Sequence, residues 1–272
     1  MKTIRAAFTI ALVLTSATAA TAATVDGAMI HWTSQGNGRQ TVILVHGWTC
    51  DQSSWREQIP ALAKNYRVIA LDLPGHGKSG MPKAFSMELF ARAIEAVRVE
   101  AKVDKAILAG HSMGTPVIRK YALMYPDRVI GLVLVDGLIQ IPTPGATAGP
   151  PLRTVSGPAR ETMIRGMFGP ATTPALQEDI LKMMMAAPEA TATGAFAATW
   201  DSSQWSDQKI TVPVLAIYAG TRPLASEQAV KTLYPPADYF TIPGTSHFLM
   251  MEKPDEFNRV LLKYLKDRMS AQ

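Results

Sequence analysis

The stretch Ala106-Ile-Leu-Ala-Gly-His-Ser-Met-Gly114 constrains this chain more than any other. An apolar run, Ala106 to Ala109, ends in Gly110-His-Ser112-Met-Gly114, and a helical pattern follows from Thr115 to Met124. A serine bracketed by glycines where a strand passes into a helix is held in a strained conformation, its Oγ turned clear of the sheet. Side chains at Gly110 or Gly114 would collide with the helix and the strand crossing beside them, so glycine is required there. Pro116 suits a first helical turn, where no N–H partner is lost. The pentapeptide alone is equally compatible with an ordinary glycine-bounded turn. Its meaning depends on what else reaches the same edge of the fold.

Thr41–Val45, Arg67–Leu71, Val129–Val135 and Val212–Ala219 are near-continuous apolar runs, the pattern of strands buried on both faces. Ala28–Ser34 reads as an edge strand, and a further strand is expected around Tyr239–Ile242. Helices are expected over Ser53–Lys64 (capped by Ser53 or Ser54), from the Ser86 cap to about Lys102, over Ser226–Leu233, and from Pro254 to about Lys266. The last carries Asp255 and Glu256 in its first turn and Lys263, Lys266 and Arg268 towards its end, matching the helix dipole. Strands alternating with helices predict an α/β fold with a mostly parallel, doubly wound sheet. In such sheets ligands gather at the carboxyl ends of the strands. His46, Asp72, Ser112, Asp136 and His247 all lie just past predicted strand ends. Residues 140–208 break the alternation, being rich in Pro, Thr, Ala and Met with helical pieces such as Leu176–Ala187. They are expected to form a helical lid inserted after the sixth strand, leaving 23–139 and 209–272 as the core.

Composition narrows the class. At 272 residues, 47% hydrophobic and 18% charged, the chain can bury one large core and is too apolar for disorder. Lys2 and Arg5 precede the apolar run Ala6–Leu14, and small residues follow with cleavage patterns at Ala17-Thr-Ala19 and Ala20-Thr-Ala22. Residues 1–22 therefore read as a secretory signal peptide, with an uncleaved anchor as the alternative. A periplasmic or secreted location is expected, with no membrane contact once the signal is removed. Loss of Lys2 and Arg5 takes the formal net charge from +5 to +3. The basic residues are scattered, which gives no reason to expect nucleic acid. Cys50 is the single cysteine, so no internal disulfide can form, and it reads as a small buried thiol. No cofactor or metal is expected, because the histidines are scattered and no Cys/His, Walker or dinucleotide spacing occurs.

Four motifs occur in order: the His46-Gly turn, Asp72-Leu-Pro-Gly-His-Gly-Lys-Ser79, the Gly-His-Ser-Met-Gly elbow, and Ser246-His-Phe248. In combination the chain resembles the α/β-hydrolase superfamily, in its serine esterase-like members, over nearly the whole length outside the lid. The resemblance implies Ser112 as nucleophile and His247 as base. It also implies an oxyanion hole made by the backbone amides of Trp48 and Met113. The acid departs from the pattern. Similar hydrolases carry it in a Gly-x-Asp-Pro turn, and this chain reads Gly220-Thr-Arg222-Pro223. An arginine cannot accept the imidazole N–H bond. Asp136, where some superfamily members place the acid, keeps the chain order Ser, Asp, His. Glu227 reaching in, or a Ser–His dyad, are the other options, and Arg222 could pair with Asp136 or bind an anionic part of the substrate.

Substrate contacts are expected from Trp48, Met167, Met184 and Phe248, with the Met-rich lid giving a soft apolar wall, although methionines at helical spacing serve equally as plain core. The remaining histidines read as structural. His76 braces its turn, His111 packs in the elbow, His46 shapes the turn after its strand, and His31 lies on an early strand. The expected activity is hydrolysis of a small-molecule carboxylic ester, possibly a lactone, through an acyl-enzyme. An aminopeptidase would need a lid acid (Glu161, Glu178, Asp179 or Glu189) to hold the substrate amine. A cofactor-free perhydrolase or haloperoxidase would use the same serine, and a non-catalytic ligand-binding protein would explain Arg222. Dehalogenase chemistry is disfavoured, because it needs an aspartate where Ser112 stands.

Overall fold

The apolar runs condense into the centre of one sheet. In the computed structural model, which describes residues 20–140 and 155–269, Thr41–Val45 (β3), Arg67–Leu71 (β4), Ala106–His111 (β5), Val129–Val135 (β6) and Val214–Ala219 (β7) are buried almost throughout. With Ala20–Val25 (β1), Ala28–Gln35 (β2) and Ala237–Ile242 (β8) they form an eight-stranded sheet in the order β1-β2-β4-β3-β5-β6-β7-β8. Strands β3 to β8 run parallel, and β1 and β2 are antiparallel to their neighbours. Each parallel step needs a crossover, and helices supply several of them. Met87–Glu100 (α2) follows β4, with Ser86 capping the amide of Leu89. Gly114–Met124 (α3) follows the elbow, and Glu227–Leu233 (α7) joins β7 to β8.

Two features differ from the sequence expectation. Ala28–Gln35 is an interior strand, because β1 pairs outside it. The continuous helix expected over 53–64 is split into a 3₁₀ turn, Gln52–Trp55, capped by Asp51, and a short helix, Gln58–Leu62 (α1). Pro60 accounts for the break: a fresh start at Gln58 keeps its ring in a first turn, where no N–H is needed. The proposed signal segment falls mainly on residues outside the described range. Residues 20–22 alone are described, and they belong to β1.

Register sets the site. The sheet switches direction at β3, which lies between β4 and β5, and a crevice opens at such a switch point. His111 pairs with Val135, and Val135 with Ile217. Ser112 and Asp136 are each the next residue, so they leave adjacent strands at the same level, beside the turn after β3. Between β6 and β7 the chain forms Gly157–Arg165 (α4), Pro174–Ala186 (α5) and Glu189–Trp200 (α6). The buried Arg160 guanidinium donates to the carbonyls of Met184 and Ala187, at the end of α5. Trp48 Nε1 donates to the Ala192 carbonyl at 2.8 Å and Thr191 Oγ1 to the Gly75 carbonyl at 2.7 Å, seating α6 over the strand ends. No described helix is long and apolar enough to cross a membrane.

Candidate active site

Ser112 has φ +53°, a conformation that costs a non-glycine residue free energy and persists only where its surroundings impose it. The flanking glycines show the constraint. A Cβ on Gly110 would meet the Gly114 carbonyl and Thr115 nitrogen of α3, and one on Gly114 would lie 2.5 Å from the Val45 carbonyl oxygen of β3. The turn thereby lifts the hydroxyl off the sheet, and Ser112 Oγ lies 2.9 Å from His247 Nε2.

His247 follows β8, and its Nδ1 lies 2.8 Å from Asp136 Oδ2. An ionised carboxylate only accepts, so Nδ1 carries the hydrogen and Nε2 is left to accept from the serine. Asp136, 1% exposed and at φ +37°, is itself caged. Its Oδ1 accepts the amides of Ala219 at 3.1 Å and Leu224 at 3.3 Å. The imidazole is held from behind as well, His111 Nε2 donating to the His247 carbonyl at 2.8 Å. Burial pushes the His111 imidazole well below the usual histidine range, with the neighbouring His247 ring acting in the same direction, so it stays neutral.

The turn after β3 lies against the serine. A Cβ on Gly47 would come within 2.9 Å of Ser112 Cβ, so only glycine lets the backbone approach this closely. His46 fixes that turn: its Nδ1 donates to the Gly47 carbonyl at 2.8 Å and its Nε2 accepts the Leu73 amide at 2.9 Å. Full burial lowers its pKa, in keeping with a neutral ring that donates and accepts once each. Trp48 follows directly. Met113 precedes α3, where helix-start amides have no carbonyl partner within the helix. Trp48, Met113, Ser112 and His247 line one cavity of about 400 Å³. Its remaining wall is largely apolar, including Leu138, Met163, Met167, Phe196, Trp200 and Leu224.

A family model for the alpha/beta hydrolase family matches residues 42–260. This chain belongs to the alpha/beta hydrolase family. Among curated relatives of the hydrolase, the dihydrolipoyllysine-residue acetyltransferase component of the acetoin cleaving system of Pseudomonas putida is 29% identical, over 90% of this chain and 68% of that protein. The pimeloyl-[acyl-carrier protein] methyl ester esterase of Vibrio cholerae is 26% identical, over 86% of this chain and 97% of the relative. A solved esterase from Thermogutta terrifontis has the same fold, with a TM-score of 0.81 and 24% identity over 93% of this chain and 100% of that one.

Within this hydrolase the position of each candidate is now explicit. Ser112, His247, Asp136, Trp48, Met113 and Met167 converge on the cavity. Met184 and Phe248 do not line it. Met184 is buried within the helices after β6, where its carbonyl accepts from Arg160. Phe248 is fully buried, against the rings of His111, His247 and Phe168. Arg222 makes no bond to Asp136; its Nη2 donates to the Gly166 carbonyl at 3.2 Å. Glu227 pairs with Lys231 at 2.6 Å and does not line the cavity. His76 donates from Nδ1 to the Pro74 carbonyl at 3.0 Å, bracing its turn, and His31 contacts Asp72 at 3.0 Å outside this cavity. Burial pushes the Cys50 thiol far up, so it is inert.

Sequence reasoning missed Glu252. Its Oε2 accepts the Ser246 amide at 2.6 Å, and its Oε1 accepts the Ser246 hydroxyl and, at 2.6 Å, that of Thr172. One carboxylate thus ties the loop bearing His247 to the segment between α4 and α5. Thr172 and Glu252 are 80 residues apart, and no local pattern signals such a contact.

Proposed function

We propose that this chain is an exported serine hydrolase that cleaves a carboxylic ester of a small, largely apolar molecule, lactones included, through an acyl-enzyme. The observation that carries this reading is the unbroken relay from Ser112 Oγ through His247, at 2.9 and 2.8 Å, to Asp136, opening onto an apolar cavity. A hydroxyl becomes an effective nucleophile when a base takes its proton during attack. His247 Nε2 takes that proton as Oγ bonds to the ester carbonyl, and Asp136 stabilises the imidazolium. The negative charge forming on the carbonyl oxygen is met by the amides of Trp48 and Met113, which contribute about 3–4 kcal/mol if preorganised. His247 then protonates the departing alkoxide. Water, deprotonated by the same imidazole, attacks the acyl-serine and releases the acid.

The esterase names among the relatives support this reaction class. The aminopeptidase reading is disfavoured by charge placement. Among the described residues Asp136 is the only carboxylate lining the cavity, whereas Glu161 and Glu178 face Arg165, and Asp179 pairs with Arg56. The export part rests on the pattern of residues 1–22.

A fluorophosphonate probe tests the nucleophile: labelling of the wild type and its loss in Ser112→Ala are expected. Equal labelling of both would overturn the assignment. Graded p-nitrophenyl esters assayed beside lactones, aminoacyl amides and a peroxide-dependent halogenation assay test the reaction class. The amino-terminal residue of the mature protein, read by mass spectrometry, tests removal of the signal.

A further inference from the structure

The carboxylate that similar hydrolases carry after β7 is replaced here by Arg222, and the arginine has not been put to the same use. It lines the cavity and is solvent-exposed, and apart from His247 it is the only basic side chain among the described residues that does so. Its single hydrogen bond among those residues is the 3.2 Å contact to the Gly166 carbonyl, and no described carboxylate pairs with it. Residues 1–19 and 141–154 contain no aspartate or glutamate that could do so. Asp136 is not available either, being committed to His247 and to the amides of Ala219 and Leu224. The Leu224 bond has a second effect: it pins the loop two residues beyond Arg222, so the guanidinium is carried by fixed backbone. Thr221 is likewise bound, its hydroxyl donating to the Thr245 carbonyl at 2.8 Å.

A planar guanidinium with a single hydrogen bond among the described residues, sharing its cavity with Met163, Met167 and Leu224, matches a carboxylate in shape and charge. The apolar wall suits an alkyl chain. We propose that Arg222 recognises a free carboxylate on the substrate, so that the preferred ester is amphiphilic, with its ester at Ser112 and an anionic group at the far end of an apolar spacer. This deepens the ester hydrolase reading and rests on it. The same chemistry can arrive on either side of the scissile bond, as a half-ester of a dicarboxylic acid or as an ester of a hydroxy acid. Because Arg222 is exposed, solvent and salt screen the pair, and the expected preference is about 10-fold rather than the larger factors of a buried ion pair.

The test compares monomethyl adipate with methyl hexanoate for the acyl side, and 4-(butanoyloxy)butanoate with butyl butanoate for the alcohol side. Two readouts are used: kcat/KM in the wild-type background, and Kd in the Ser112→Ala background from quenching of tryptophan fluorescence. The carboxylate is expected to win by about 10-fold on one side. The ratio should fall to about 1 in Arg222→Gln, be partly retained in Arg222→Lys, and shrink as salt is added. A Kd ratio at or below 1 on both sides, or one that Arg222→Gln leaves unchanged, overturns the proposal whether or not either ester is cleaved. Conversely, selective binding of the carboxylate by Ser112→Ala, beside a wild type that cleaves none of the graded esters and takes up no fluorophosphonate, removes the serine-hydrolase reading and leaves Arg222 as an anion-binding residue.

Discussion

Replacing Asp136 by asparagine is the sharpest probe of the relay, because the structure dictates which way the new amide must face. The amides of Ala219 and Leu224 both point at Oδ1, and His247 Nδ1 faces Oδ2. An asparagine that turned its NH₂ towards the two backbone amides would leave the buried Ala219 amide and the half-buried Leu224 amide without that acceptor, at about 1–3 kcal/mol for the buried one. The opposite orientation keeps both bonds and presents its NH₂ to Nδ1. His247 can satisfy that donor only by moving its own hydrogen to Nε2. In that tautomer Nε2 no longer accepts the Ser112 proton, although every heavy atom keeps its place. The loss expected for a triad locked in the wrong tautomer is about 10⁴-fold in kcat, or about 5.5 kcal/mol of transition-state stabilisation. The assay is steady-state hydrolysis of the best p-nitrophenyl ester, with a thermal melt run beside it. Folding should be nearly unaffected, since the replacement is isosteric and retains both backbone bonds. Turnover within about 10-fold of wild type would remove Asp136 from the relay. A collapsed melt would refute the claim that its backbone bonds survive.

Two further outcomes follow from the turn glycines and the buried histidines. Gly114→Ala would put a methyl 2.5 Å from the Val45 carbonyl and 2.8 Å from that of His46, both backbone atoms that cannot swing aside. A loss of about 2–3 kcal/mol is expected, visible as a lowered Tm with impaired turnover; an unchanged Tm would contradict the close approach of α3 to β3. His76 should make stability pH-dependent. Burial, reinforced by the His46 ring, pushes it from the ordinary 6.5 down to about 3. Between those values the unfolded chain binds a proton that the folded chain refuses, so stability present above about pH 6.5 declines as pH falls, by about 1.4 kcal/mol per pH unit for this one group. His76→Asn, whose amide can still donate to the Pro74 carbonyl, should flatten the dependence of the urea midpoint between about pH 6 and pH 4 by that amount. An identical slope in both proteins would show that His76 does not stay neutral.

Local patterns were enough for the central strands and the elbow, but not for β1, which turns Ala28–Gln35 from an edge into an interior strand. Val42 to Val45 and Leu132 to Val135 are short, β-branched-rich apolar runs, the pattern of strands covered on both faces, and every one of those side chains is buried. The steric demand on Gly110 and Gly114 is likewise local, and it makes Ser112 conspicuous in the sequence itself. Which carboxylate meets His247 could not be read that way. Asp136 and Glu227 were both available in chain order, and what separates them is that His111 pairs with Val135 while Lys231 occupies Glu227. Periodicity identified apolar faces on the helices after β6, but not which methionine meets the cavity: Met167 does, whereas Met184 packs among its neighbours. Glu252 was invisible for the same reason, since its partners Ser246 and Thr172 meet only once the chain has folded back on itself. Helix and strand propensities act over a few residues and are written in the order of the chain. Register and interhelical packing depend on surfaces brought together across many tens of residues, and these alone decided which carboxylate faces the imidazole and left Arg222 at the cavity with no carboxylate partner among the described residues.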